Sequence, residues 1–93
     1  MSDTVFSEHL AEETIALSGA ARSGTVPAAA TSAFIYAEGG AVYFSVNGTA
    51  SANSGGYVPD GQKMFVGPLV NFDSVSFYGA SGAKAHVQYY AET

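Results

Sequence analysis

Cysteine and tryptophan are absent, and cations nearly so: Arg22, Lys63 and Lys84 are the only three among 93 residues. Without cysteine there is no disulfide staple and no thiolate metal site, which leaves packing and association to hold a small fold together. Three cations against eight acidic residues give a net charge of −5. No basic patch is available to release counterions from phosphates, so nucleic acid is not expected as a direct ligand. The two histidines, His9 and His86, are far apart in the chain, and the acidic residues are scattered rather than spaced like a calcium loop. No metal and no cofactor are therefore expected. Nowhere do roughly 18 apolar residues run together, and Met1-Ser2-Asp3-Thr4 lacks a basic stretch leading into an apolar one. The reading is a protein made in a cytosol and carrying no membrane anchor.

What is present is a chain of single-domain length, short enough that its stability margin is thin unless a partner helps. Charged residues make up 12%, against about 25% in an ordinary soluble domain. The surface must then be built largely from Ser, Thr, Asn, Gly, Ala and Tyr. Such a neutral, tyrosine-rich exterior fits either a plain soluble β domain or one that is covered by copies of itself or by a partner shell.

Along the chain, half of the acidic residues, Asp3, Glu8, Glu12 and Glu13, fall in the first segment. Val5, Phe6, Leu10, Ile15 and Leu17 fit no sustained helical stripe. Residues 1–13 are read as an extended arm, with a strand beginning at Thr14-Ile15-Ala16-Leu17 and the domain proper running over 14–93. Two glycines and Pro27 mark Ser18 to Pro27 as a turn with a short edge segment. Strands are predicted at Ser32–Ala37, ending on Glu38-Gly39-Gly40, and at Ala41–Val46, with Val42, Phe44 and Val46 on one face and Tyr43 and Ser45 on the other. Asn47-Gly48 reads as a tight turn, and Thr49–Gly56, which holds no large residue, as an exposed loop. Tyr57-Val58 is a short strand before the Pro59-Asp60-Gly61 turn. Gln62–Val66 is the next strand, broken by Gly67-Pro68. Asp73–Tyr78 places Val75 and Phe77 inward. Gly79–Gly82 is read as a hairpin to Ala83–Ala91, with Ala85, Val87 and Tyr89 inward and His86, Gln88 and Tyr90 outward. Some seven to eight short antiparallel strands with glycine at the corners predict an all-β domain, a small β-sandwich or jelly-roll-like barrel.

Catalytic patterns are weak. His9 lies in the arm and His86 on an outer strand face, so neither is placed for a nucleophilic triad. Adjacent residues on a strand point to opposite faces, so Glu12-Glu13 reads as a solvated charge pair rather than an acid pair for glycoside hydrolysis. Gly39-Gly40 and Ser54-Gly55-Gly56 are too short and lysine-poor for phosphate loops. No enzymatic activity is expected.

From Leu17 to Tyr90 the order of features resembles a group of small phage structural proteins, the virion or head-decoration (cement) proteins. The matching pieces are Thr25-Val26-Pro27-Ala28, Ala33-Phe34-Ile35-Tyr36-Ala37-Glu38-Gly39-Gly40 leading into Val42-Tyr43-Phe44, the Asn47-Gly48 turn, Pro59-Asp60-Gly61-Gln62, Val75-Ser76-Phe77, Gly79-Ala80-Ser81-Gly82 and Ala85-His86-Val87-Gln88-Tyr89-Tyr90. The resemblance implies a compact β-sandwich on the capsid surface that binds the major capsid protein and its own copies, commonly as a trimer. Partner contacts are expected from Val5, Phe6, His9 and Leu10 of the arm and from the outward Tyr43, Tyr78, His86 and Tyr90. The alternative is a tail- or fibre-associated receptor module in which outward tyrosines such as Tyr43, Tyr78 and Tyr90 form a stacking platform for glycans.

Overall fold

The computed structural model describes residues 7–92. Within them are eight strands: β1 (Ser7–Ala16), β2 (Arg22–Ser23), β3 (Ser32–Glu38), β4 (Val42–Val46), β5 (Gly56–Val58), β6 (Lys63–Val66), β7 (Val75–Tyr78) and β8 (Lys84–Glu92). They form two four-stranded sheets, ordered β1-β8-β3-β6 and β2-β7-β4-β5. The antiparallel partnerships β1–β8, β2–β7, β3–β6 and β4–β5 are those of one long hairpin. Rolling that hairpin up brings β8 beside β3 and β7 beside β4. This is jelly-roll wiring, in which only β4 and β5 follow one another within a sheet and the other links cross between layers.

Alternation along each strand decides which residues meet in the middle. Ile15, Ala33, Ile35, Ala37, Ala85, Val87 and Tyr89 from one sheet face Val42, Phe44, Val58, Val75 and Phe77 from the other, with Leu17 and Phe72 closing the ends. Seven of the eighteen buried apolar residues are alanine. Cross-strand pairing sets small against large where Ala33 stands opposite Tyr89, while Ala37 meets another alanine, Ala85.

Several sequence-based expectations change. β1 starts at Ser7 rather than Thr14 and pairs with β8 along its length, so residues 7–13 of the expected arm are strand; residues 1–6, with Val5 and Phe6, lie outside the described residues. A bulge between His9 and Ala11 puts Leu10 and Ala11 together against the core and breaks the alternation there. The Gly79–Gly82 segment is not a hairpin, because β7 and β8 belong to different sheets. It is a corner that packs on the Gly39-Gly40 corner: at Gly39 (φ +76°) a Cβ would lie 2.7 Å from the Gly82 carbonyl oxygen. Asn47-Gly48 does not close a two-residue hairpin either. Asn47, at φ 56°, instead opens the β4–β5 loop and ties it to the irregular segment that leads into β7: its Oδ1 accepts from the Asp73 and Ser74 N–H groups, and its Nδ2 donates to the Asn71 carbonyl. The loop that follows is not wholly exposed, since Ala50 is buried and its N–H donates to Ser76 Oγ. The Pro59-Asp60-Gly61 turn forms as expected, with the Gln62 N–H donating to the Pro59 carbonyl and Gly61 at φ +78°.

Candidate functional site

Side chains turned away from the core make two outer faces of different character. On the β1-β8-β3-β6 sheet, register builds a grid across the strands: Thr14, His86, Tyr36 and Lys63 share one row, and Glu12, Gln88, Phe34 and Phe65 the next. His9 and Tyr90 follow, ring edge to ring face at 5.5 Å.

Hydrogen bonds fix much of this grid. His86 Nε2 is 2.6 Å from Glu38 Oε1, and His86 Nδ1 is 3.0 Å from Thr14 Oγ1. A carboxylate only accepts, so Nε2 carries a proton; with the ring neutral, Nδ1 accepts from the Thr14 hydroxyl, which can reverse its role if the ring becomes charged. The hydrogen bond from His86 holds the Glu38 carboxyl below its ordinary value of 4.5 despite some desolvation, helped by the fields of His86 and Lys84. Tyr90 donates its hydroxyl to Gln88 Oε1 at 2.7 Å, and Gln88 Nε2 reaches Glu12 at 3.4 Å. Between these groups a trough of about 480 Å³ runs over Phe34, Tyr36, Lys63, His86, Gln88 and Tyr90. A second depression of about 300 Å³ lies on the β1 side and shares His86 and Gln88 with the first.

Thr14, His86 and Glu38 form a hydroxyl–imidazole–carboxylate series assembled from three strands far apart in the chain. Acyl transfer would also need N–H donors aimed at a developing oxyanion. Thr14 and His86 are direct ladder partners in β1 and β8, and strand N–H groups lie in the plane of the sheet rather than over its face. What the series does supply is a rigid set of polar groups beside aromatic rings. Among the described residues no group of three or more His, Asp or Glu side chains gathers as a metal site.

The outer face of the other sheet carries Tyr43, Tyr57 and Tyr78, with ring centroids 5.0 Å (Tyr43–Tyr57) and 6.3 Å (Tyr43–Tyr78) apart. Tyr43 and Tyr78 thus come together as expected, joined by Tyr57, which the sequence reading did not single out. Tyr90 sits on the opposite sheet, so the three tyrosines proposed as one platform are divided between two faces. His9, His86 and Tyr90 share the trough-bearing face, while Leu10 packs inward. Glu12 and Glu13 do point to opposite sides, but Glu13 is no solvated charge: its Oε2 accepts from the Tyr89 hydroxyl at 2.5 Å and from the Thr25 N–H at 2.7 Å. Burial, that hydrogen bond and the Glu13 charge push the Tyr89 hydroxyl's pKa far above the ordinary 10.0.

Phe34, Tyr36, Lys63 and Gln88 were also not singled out. Their signal was in the pattern: in Ala33-Phe34-Ile35-Tyr36-Ala37 the bulkiest side chains occupy the outward positions.

No protein-family model matches this chain, and comparison with curated proteins and with solved structures gives no match. Among the described residues no helix is long and apolar enough to cross a membrane.

Proposed function

We propose that this chain is a structural protein of a bacteriophage particle, a decoration or cement protein that binds the assembled head through the major capsid protein and stabilises it without covalent chemistry. One observation carries the reading. Seven of the eleven described aromatic residues, Phe34, Tyr36, Tyr43, Tyr57, Phe65, Tyr78 and Tyr90, are turned outward and at least partly exposed, while alanine fills much of the interior. A domain that places its ring area outside, with little charge between the rings, has the surface of a protein that is covered in use. The resemblance of Leu17 to Tyr90 to phage head-decoration proteins supports the same conclusion.

The Tyr43-Tyr57-Tyr78 face suits docking on a shell, and the β6 edge suits contact between copies. β1 is guarded by a bulge and by Glu8, Glu12 and Glu13, and β2 and β5 are very short, all devices that discourage edge pairing. β6 has only Lys63, and exposes Met64 and Phe65 at 38% and 47%. Copies meeting along β6 around the shell's symmetry axes, as a trimer, would hide that edge. Binding only the assembled shell stabilises it by mass action, about 2.7 kcal/mol per site at a hundredfold excess over Kd.

The test is occupancy on emptied particles of the parent phage, measured by sedimentation and by the temperature of shell disruption. The double substitution Tyr43→Ser and Tyr57→Ser removes ring area from an outer face and should lower occupancy while the β-sheet circular dichroism persists. Full occupancy by that variant would overturn the docking face, and failure of the unaltered chain to bind any shell would overturn the function.

A further inference from the structure

We propose that the trough on the β1-β8-β3-β6 face is a saccharide site for a neutral oligosaccharide; this goes beyond shell binding and does not depend on it. Three features converge. The trough offers ring surface from Phe34, Tyr36, Tyr90 and the imidazole of His86, whose two nitrogens are already engaged, together with side-chain donors and acceptors from Lys63 and Gln88. That combination matches a pyranose ring, which presents C–H faces to an aromatic and hydroxyls around its rim. Its volume of about 480 Å³ lies in the range of small-molecule sites, about 300 to 1,000 Å³.

The polar groups are held in place before any ligand arrives. Tyr90 is tied to Gln88, and His86 is anchored from both sides by Glu38 and Thr14. Fixed rotamers lessen the entropy lost on binding. The second depression, sharing His86 and Gln88 with the first, extends the track across β8, so the ligand has more than one sugar ring.

Other ligand classes fit less well. Glu12 and Glu38 edge the face and Lys63 is the one cation lining the trough, a poor cradle for phosphate. An extended peptide gains affinity by pairing with a strand edge, and over a sheet face it meets no free ladder groups. On the other sheet, Tyr43, Tyr57 and Tyr78 have no side-chain hydrogen bond among the described residues to fix their hydroxyls.

The experiment is heteronuclear NMR of the full chain titrated with malto-, cello- and chito-oligosaccharides, preceded by an array of neutral and acidic glycans to choose the class. Shifts confined to Phe34, Tyr36, Lys63, His86, Gln88 and Tyr90 and to the adjoining Glu12 and Thr14 are expected for at least one neutral glycan. Tyr36→Ala and Tyr90→Ala should each weaken that binding about five- to tenfold, and Tyr57→Ala should leave it unchanged. No binding to any glycan, binding of acidic glycans alone, or shifts centred on Tyr43, Tyr57 and Tyr78 would overturn the proposal. Shell occupancy of Tyr36→Ala, read in parallel, separates the two readings. Retained occupancy with weakened glycan binding supports the saccharide site. Occupancy lost with Tyr36→Ala, and no glycan bound by the unaltered chain, would make the trough a protein interface and refute it.

Discussion

Removing the Glu13 carboxylate strips one acceptor from two donors on different parts of the roll. Tyr89 is 1% exposed, and its hydroxyl reaches Glu13 across the inner edge of the β1–β8 ladder, while the Thr25 N–H belongs to the segment after β2. In Glu13→Ala the Thr25 N–H, at an exposed position, can turn to water. The Tyr89 hydroxyl has less chance of doing so, and a buried donor left unpaired costs about 1–3 kcal/mol. Adding the lost charge-assisted bond, the variant should be less stable by about 2–4 kcal/mol, a fall in Tm on the order of 10–20 °C for a domain of this size. Tyr89→Phe removes the donor along with its need and should lose only about 1–2 kcal/mol. The double variant then loses less than the two single losses added together, with a coupling of about 1–2 kcal/mol read by urea denaturation. The same geometry fixes an alkaline limb. The folded chain keeps the Tyr89 proton that the unfolded chain gives up above 10.0, so stability falls as pH rises past that value by up to about 1.4 kcal/mol per unit. Tyr89→Phe should flatten this limb. Strict additivity in the cycle, together with an unchanged alkaline limb, would refute the clasp.

Gly24→Ala should destabilise by about 1–3 kcal/mol, seen as a lowered urea midpoint, because a Cβ there would lie 2.6 Å from the Tyr89 hydroxyl and 3.0 Å from Val75 Cγ1. Ser32→Ala should raise stability by about 1 kcal/mol in the same assay, since Ser32 is fully buried and its Oγ has no hydrogen-bond partner among the described residues. The Glu38 carboxyl should titrate below 4.5 by NMR, so that its stabilising contact is present above that value and lost as pH falls through the lowered one; in His86→Ala the titration should move back up. Met64→Glu should reduce any concentration-dependent self-association seen by sedimentation, by placing a charge on the β6 edge.

The alternation of Ala41–Val46 and Ala83–Ala91 named their inward residues correctly, because a period of two is a local property of a pleated strand. Sheet membership is not local. A glycine-rich link such as Gly79–Gly82 looks the same whether it turns within a sheet or crosses between two, and that ambiguity hid both the corner and the separation of Tyr90 from Tyr43 and Tyr78. The start of β1 was hidden differently. Leu10 and Ala11 both pack inward at the bulge, so the pattern slips phase and Ser7–Glu13 reads as irregular. Inside the strand an acidic residue, Glu13, then occupies an inward position, where its partner is a tyrosine 76 residues away in the chain. Likewise, Thr14 and Glu38 become neighbours of His86 only once β8 is laid between β1 and β3.

The two faces of the roll also constrain one another. They lie on opposite sides of a single core, so a chain resting on a particle through Tyr43, Tyr57 and Tyr78 would hold Phe34, Tyr36 and Tyr90 toward the medium. A patch of tyrosine rings excludes water over a broad contact and needs little directional bonding, which suits a fixed protein surface. A trough with an anchored amide and a lysine beside its rings gives direction at the expense of area, which suits a small hydroxylated ligand. With Ala33 and Ala37 inside, β3 leaves its larger rings, Phe34 and Tyr36, on the outside, so on that sheet the ring area withheld from the core is area available for binding.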